Sequence, residues 1–395
     1  MLMKKKYIER QISDYVKKVA GMYPVVTICG PRQSGKTTLA RHLFPTYDYV
    51  SMEDPGRRLQ FENDPRGFLA LYPAPCIIDE VQNTPSLLSY LQGIVDEQNT
   101  PGMYILTGSR QMELQESITQ SLAGRSAMVD LLPLSCAELT AADIRHTRDE
   151  ALYYGGLPRL YTEGIPPEIA YSNYMRTYVE RDVRQLINIK NLSAFETFIR
   201  LLAARVGQII NYSSLASDVG VSAPTIKEWV SMLEASYLIF TVHPYYNNFG
   251  KRLTKSPKIF FTETGLVTAL LDINSPSQVA RDPLIGSIYE NLIVSEFLKT
   301  RLNAGLRPNL YFYRDAHGFE IDLILDIKRR PLPIEIKSAM TYTPALTKNL
   351  QQFYQNAATQ ALTPALVYSG ENLGVFQGVK VININSVPEV ALSEL

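Results

Sequence analysis

The run Gly30-Pro31-Arg32-Gln33-Ser34-Gly35-Lys36-Thr37 satisfies every fixed position of the phosphate-loop pattern G-x-x-x-x-G-K-[ST]. Two glycines let the backbone curl until its N–H groups face a polyphosphate. Lys36 then reaches the terminal phosphates, and Thr37 offers a hydroxyl to Mg²⁺. Gly30 through Thr38 are the expected nucleotide contacts. Downstream, Cys76-Ile77-Ile78 runs into Asp79-Glu80. An apolar strand ending in two acids is the Walker B arrangement, with Asp79 turned to Mg²⁺ and Glu80 to the attacking water. A second constellation lies near the C-terminus. Glu320 and Asp322 alternate in one run, Glu335 and Lys337 in another. Strand alternation puts each pair on one face. A hairpin through Asp326–Pro331 would bring the carboxylates and the lysine together, and Glu290 lies on a helix-like stretch upstream. Clustered carboxylates suit a hard cation such as Mg²⁺, which keeps waters for chemistry.

These side chains need elements to carry them. Val25-Val26-Thr27-Ile28-Cys29 reads as a buried parallel strand, and a helix is expected to begin after the phosphate loop. Tyr47–Ser51 and Met103–Leu106 read as further strands, and residues 7–20 as an amphipathic helix. From Ile169 to Ile189 a helix carries Tyr171, Tyr174 and Tyr178, an aromatic stripe better suited to packing than to stacking on bases. Helices over 195–206, 212–218 and 222–233, the last capped by Ser222, have a helix-turn-helix cadence, and strands over 237–242 and 259–262 suit a wing. In this reading Thr225, Lys227 and Glu228 face outward, while Lys251, Arg252, Lys255 and Lys258 supply wing cations for phosphates; the competing reading is a winged helix used for packing or as a lid beside the nucleotide site.

Length and composition set limits. At ~150 residues per domain, the 395 residues make two or three domains. With 46% hydrophobic and 20% charged residues the chain can build ordinary cores. Lys+Arg and Asp+Glu balance at 39 each, which argues against a basic coat for nucleic acid while permitting a local patch. Cys29, Cys76 and Cys136 lie far apart and read as small apolar residues, not a disulfide framework. No run approaches the ~18 apolar residues of a membrane span, and the basic start has no signal-like core. A soluble cytoplasmic protein is expected. The guanine-reading N-K-x-D motif is absent, leaving ATP as the expected nucleotide.

Taken together, the phosphate loop, Ile78-Asp79-Glu80-Val81-Gln82, Leu106-Thr107-Gly108-Ser109-Arg110 and Leu122-Ala123-Gly124-Arg125 resemble prokaryotic AAA+ proteins that carry a DUF4143 region. The likeness continues through Pro133-Leu134-Ser135, Gly155-Gly156-Leu157-Pro158 and Tyr178–Val183 and covers nearly the whole chain. It implies an α/β fold. A P-loop, AAA+-like parallel-sheet domain (21–136) follows an N-terminal helix (1–20). A helical connector (137–192) and a winged helix (193–275) come next, then an α/β restriction-endonuclease-like domain (280–395). It also implies a homo-oligomer. Within it a polar residue at the third strand tip, Thr107 or Ser109, orients the water, and Arg125 is either a finger for a neighbouring subunit or an ordinary surface arginine. The C-terminal part is similar to the PD-(D/E)xK nuclease core. That resemblance makes Asp322 and Glu335 metal ligands, Lys337 the catalytic lysine and Glu290 the accessory acid; Ile321 stands where the name-giving motif has proline. Three functions compete: ATP-driven DNA processing with cleavage, an ATP-switched scaffold that binds without cutting, and a transcription regulator.

Overall fold

The computed structural model describes residues 7–109, 121–177, 191–245, 256–357 and 361–393. Its N-terminal half is built on a five-stranded parallel sheet of order β2-β3-β4-β1-β5. The strands are β1 (Val25–Cys29), β2 (Asp48–Ser51), β3 (Cys76–Asp79), β4 (Tyr104–Gly108) and β5 (Ser126–Asp130). All residues of β1, β3 and β4 are buried, as expected of strands covered on both faces. Helix α1 (Ser13–Ala20) lies beside β1, and α2 (Lys36–Leu43) follows the phosphate loop directly.

Two local expectations change. The N-terminal helix begins at Ser13, not Tyr7; residues 7–12 instead lie along the phosphate loop. Arg10 explains this. Its buried guanidinium bonds Glu138, the Ser34 carbonyl and the Leu132 carbonyl, contacts that no surface helix position would allow. The sheet also gains β5, whose mixed sequence Ser-Ala-Met-Val-Asp leaves Met128 exposed at the edge.

A helical segment follows, with Tyr171 and Tyr174 buried in packing. Arg110, Tyr178–Val183 and wing residues Lys251, Arg252 and Lys255 lie outside the described residues. Helices α3 (Leu192–Ala204), α4 (Tyr212–Val219) and α5 (Ala223–Ala235) come next. Ser222 caps α5 by accepting from the Thr225 N–H, and Trp229 packs edge-on against Phe195. Strands β6 (Ile239–Pro244) and β7 (Lys258–Phe261) pair antiparallel.

That pair belongs to a larger sheet of eight strands, ordered β12-β13-β11-β10-β9-β8-β6-β7. Its remaining strands are β8 (Leu310–Arg314), β9 (Glu320–Ile327), β10 (Arg330–Lys337), β11 (Ala365–Tyr368), β12 (Gly374–Phe376) and β13 (Val379–Ile382). The long helix α6 (Ile285–Asn303) packs on this sheet. Strands β9 and β10 form the hairpin anticipated from the sequence, with Arg330 opposite Ile327 and Ile334 opposite Leu323. Lys328 and Arg329 both have positive φ, 50° and 66°, which a tight two-residue hairpin turn requires.

Candidate functional site

The phosphate loop leaves β1 and enters α2 at the carboxyl end of the parallel sheet, where the helix N-terminus favours anions. Gly30 has φ +151°, and a Cβ there would fall 2.1 Å from the Leu131 carbonyl oxygen, so no side chain fits. Gly35 sits at φ +93°, which lets the chain turn into the helix. Lys36 folds back to donate to the carbonyls of Gly30 at 3.1 Å and Pro31 at 2.9 Å. Burial pulls its pKa below the ordinary lysine value, against the pull of Glu80 and Asp79. Ser34 Oγ is buried without a hydrogen-bond partner. Among the described residues this buried cation donates to two loop carbonyls and the Ser34 hydroxyl has no partner, an arrangement that fits a polyphosphate.

The metal position fits as well. Thr37 Oγ1 donates to Asp79 Oδ1 at 2.7 Å, and Tyr49 donates to Asp79 Oδ2 at 3.1 Å. These are the hard oxygen donors that Mg²⁺ prefers. Glu80 follows with φ 53°, an uncommon backbone for a non-glycine residue, which turns its carboxylate toward the cavity. The two polar residues at the β4 tip divide their contacts. Thr107 bonds Asp79 and accepts from the Glu80 N–H at 3.4 Å. Ser109 accepts from Gln82 at 3.2 Å, and Gln82 in turn donates to Glu80.

A cavity of about 610 Å³ opens over these groups. Its far wall is Tyr7, Ile8, Pro158, Arg159 and Thr162, residues the sequence reading did not assign to the site. Arg125 does not line it. Its guanidinium pairs with Asp96 at the surface, Nη2 to Oδ2 2.9 Å.

The C-terminal residues also converge, with a difference. Asp322 Oδ2 accepts from Lys337 Nζ at 2.8 Å and from the Ile336 N–H at 2.8 Å. Lys337 also contacts Glu335 Oε2 at 2.5 Å. Glu290 is not bonded to these groups. It pairs instead with Lys258 at 2.9 Å, and the same ammonium pairs with Glu320 at 2.6 Å. Lys258 is 3% exposed and lies 5.5 Å from the Phe312 ring centroid. It is therefore not a wing cation for phosphates: its charge is buried and spent inside the protein. Burial works against that charge, but Glu290, Asp322 and Glu320 outweigh it and raise the pKa. Burial raises Glu290 to about 7 and Glu335 to about 8, whereas Lys337 and Lys258 hold Asp322 low despite its burial.

Among the described residues no three His, Cys, Asp or Glu side chains are placed to share a metal ion. Glu290 and Glu335 each lie near Asp322, yet two lysines take up the charge of these acids. In this arrangement the set does not fit a divalent cation, although Glu335 Oε1 stays buried without a hydrogen-bond partner.

Beside this centre an open groove is lined by Asn211, Tyr212, Ser213, Lys227, Ser256 and Arg314. Lys227 and Glu228 are exposed on α5, as expected, while Thr225 is half-buried and bonded to its cap, Ser222. Arg314 joins groove to centre through its 3.2 Å pair with Glu320.

An AAA domain model matches residues 22–140, and two domains of unknown function, DUF8612 and DUF4143, match 145–277 and 285–387. An uncharacterized protein of Mycobacterium tuberculosis is 31% identical over 372 residues, 92% of this chain and 80% of that protein. The uncharacterized protein MJ1637 of Methanocaldococcus jannaschii is 25% identical, over 73% of this chain and 69% of its own length. Among solved structures, the Walker-type ATPase of Pyrococcus abyssi aligns with 67% of this chain and 96% of its own at 14% identity, TM-score 0.45. No helix among the described residues is long and apolar enough to cross a membrane.

Proposed function

Because the chain belongs to the family that joins an AAA domain to a DUF4143 region, we propose that it is an ATP-hydrolysing switch acting on DNA. The observation that carries this reading is the convergence of Lys36, Thr37 and Glu80 on one cavity at the carboxyl end of the parallel sheet, with Asp79 bonded to Thr37 beside it. Loop N–H groups and Lys36 bind and orient the phosphates of ATP. Thr37 and Asp79 would hold Mg²⁺, which would neutralise charge on the phosphates. Glu80 is the general base, held by Gln82, and Thr107 fixes the metal-side carboxylate. In a cytoplasmic homo-oligomer, Arg125 would leave Asp96 to reach a neighbour's site. Hydrolysis by the wild type, its loss in Glu80→Gln with ATP binding retained, and loss of binding in Lys36→Ala would support the reading. Unchanged hydrolysis in Glu80→Gln would refute the assignment of the base.

The polar groove carrying Lys227 and Arg314 supports DNA as the partner. The pairing of Lys258 and Lys337 with the four carboxylates favours binding without cutting. A second reading, that the C-terminal centre cleaves DNA, draws on the approach of Asp322, Glu335 and Lys337. A cleavage panel of single-stranded, duplex and branched DNA, with Mg²⁺ or Mn²⁺, separates the two. Cutting lost in Asp322→Ala would establish the second reading, and no cutting alongside intact ATP hydrolysis would remove it.

A further inference from the structure

The C-terminal centre gathers Glu290 from α6, Glu320 and Asp322 from β9, and Glu335 from β10. Lys337 belongs to the same hairpin and was visible in the sequence pattern. Lys258 comes from β7, on the far side of β6 and β8 in the sheet, and no local pattern connects it to the acids. Yet among the described residues its ammonium bridges Glu290 to the hairpin acid Glu320, at 2.9 Å to the first and 2.6 Å to the second.

Geometry and chemistry both say that this ammonium is fixed. It is 3% exposed, its strand neighbours Ile259, Phe260 and Phe261 are buried, and Phe312 presents a ring face 5.5 Å away. A lysine confined this way is a permanent positive charge between carboxylates, which is the electrostatic role a divalent cation would otherwise fill. The backbone at Gly207 closes the other side: a Cβ there would lie 3.2 Å from Glu290 Oε2. Among the described residues Glu335 Oε1 has no hydrogen-bond partner although it is buried, so the centre retains an oxygen that its lysines do not satisfy.

We propose that Lys258 is an internal counter-cation that occupies the place of a divalent metal and keeps the C-terminal acidic centre closed to it. This rests on reading the centre as nuclease-like. The chain then contains the oxygen donors of a metal site and, from a different part of the sequence, the residue that silences it. Removing the Lys258 charge leaves Glu290 and Glu320 without their shared cation beside Asp322, and a hard cation becomes the best available partner for these oxygens.

The test is Mn²⁺ binding to the nucleotide-free full-length chain, read by electron paramagnetic resonance and titration calorimetry. Wild type, Lys258→Met and the charge-balanced Lys258→Met/Glu320→Gln are compared, each with and without Asp322→Ala. The expected result is at least tenfold tighter Mn²⁺ binding in both Lys258 variants than in wild type, abolished by Asp322→Ala. If a variant is destabilised, Mn²⁺ must raise its thermal midpoint, and an unchanged midpoint counts against the proposal. Wild-type binding that is equally tight and sensitive to Asp322→Ala would overturn the role of Lys258 while leaving a metal centre in place. No Mn²⁺ binding by any form would overturn both the proposal and the nuclease-like reading beneath it.

Discussion

Arg10→Met tests how the phosphate loop is held. Arg10 and Glu138 are both buried, at 5% and 0% side-chain exposure, and meet at 3.0 Å. Arg10 also donates 2.8 Å to the Ser34 carbonyl inside the loop and 2.7 Å to the Leu132 carbonyl. Glu138 is further used as the box partner of Ser135 and accepts from the Gln11 N–H at 2.8 Å. Methionine preserves the aliphatic stem and removes three hydrogen bonds, leaving a carboxylate with no cation. Breaking a buried pair from one side costs about 3–5 kcal/mol. The double variant Arg10→Met/Glu138→Gln removes the uncompensated charge while keeping a box acceptor, so it should recover roughly half of that loss. Denaturant unfolding read by two probes gives the four corners of the cycle. Nucleotide affinity should fall in both variants, because each loses the bond to Ser34. An Arg10→Met variant within 1 kcal/mol of wild type would refute the idea that this pair anchors the loop. So would a double variant no more stable than the single one.

Lys36→Met should abolish ATP binding by more than a hundredfold in a calorimetric titration without lowering the thermal midpoint of the nucleotide-free protein, since it removes a buried cation that donates to two loop carbonyls. Because burial depresses the Lys36 pKa in the fold, the unfolded chain binds the extra proton between that value and about 10.5, so wild-type stability relative to Lys36→Met should rise with pH across that window. Glu80→Gln should lower kcat by about 10²–10⁴ with ATP affinity kept, measured by phosphate release. Glu263 has its pKa raised by burial although Lys299, the Gly156 and Gly265 N–H groups and Tyr171 favour its charged form. Ionisation therefore opposes folding, and the stability of wild type relative to Glu263→Gln should be greatest near pH 4 and decline as pH rises through the folded pKa, checked by thermal midpoints across pH.

The nucleotide site was legible because its chemistry is contiguous. Gly30 to Thr37 is one loop running into a helix, and Cys76 to Asp79 is one strand with Glu80 just past its end, so spacing alone placed their residues. The hairpin acids were legible for the same reason: period-two alternation and a short turn bring Asp322, Glu335 and Lys337 together without help from the rest of the chain. Arg10 draws no reading of its own within the helix expected over residues 7–20, since only Glu138, more than a hundred residues later, reveals where its charge goes. Strand β5 was missed because an edge strand that alternates Ser126, Met128 and Asp130 with apolar residues lacks the apolar run that marked its neighbours. Lys258 looked like a wing cation because a lysine beside lysines suggests a basic surface; burial between Glu290 and Glu320 reverses that meaning.

Strand β7 then acquires a role neither centre shows alone. Lys258 begins it, and Glu263 follows two residues after its end. Glu263 accepts from the Gly156 N–H at 2.9 Å, from Gly265 at 3.1 Å and from the Tyr171 hydroxyl at 2.9 Å. Gly156 leads directly into Pro158 and Arg159, which wall the nucleotide cavity. There is no slack in this corner: a Cβ on Gly155 would meet Glu263 Oε1 at 1.8 Å, and one on Gly156 would meet the Leu134 carbonyl at 2.3 Å. A shift of the Gly155–Arg159 segment must therefore either break the Glu263 bonds, exposing an unsatisfied buried acid, or carry Glu263 with it. Since β7 is hydrogen-bonded to β6 along its length, carrying Glu263 moves a strand and not a loop. At the other end of that strand sits the ammonium between Glu290 and Glu320. The nucleotide wall and the counter-cation of the acidic centre are thus fixed to one short rigid element, and close packing between them favours discrete rearrangement over gradual deformation.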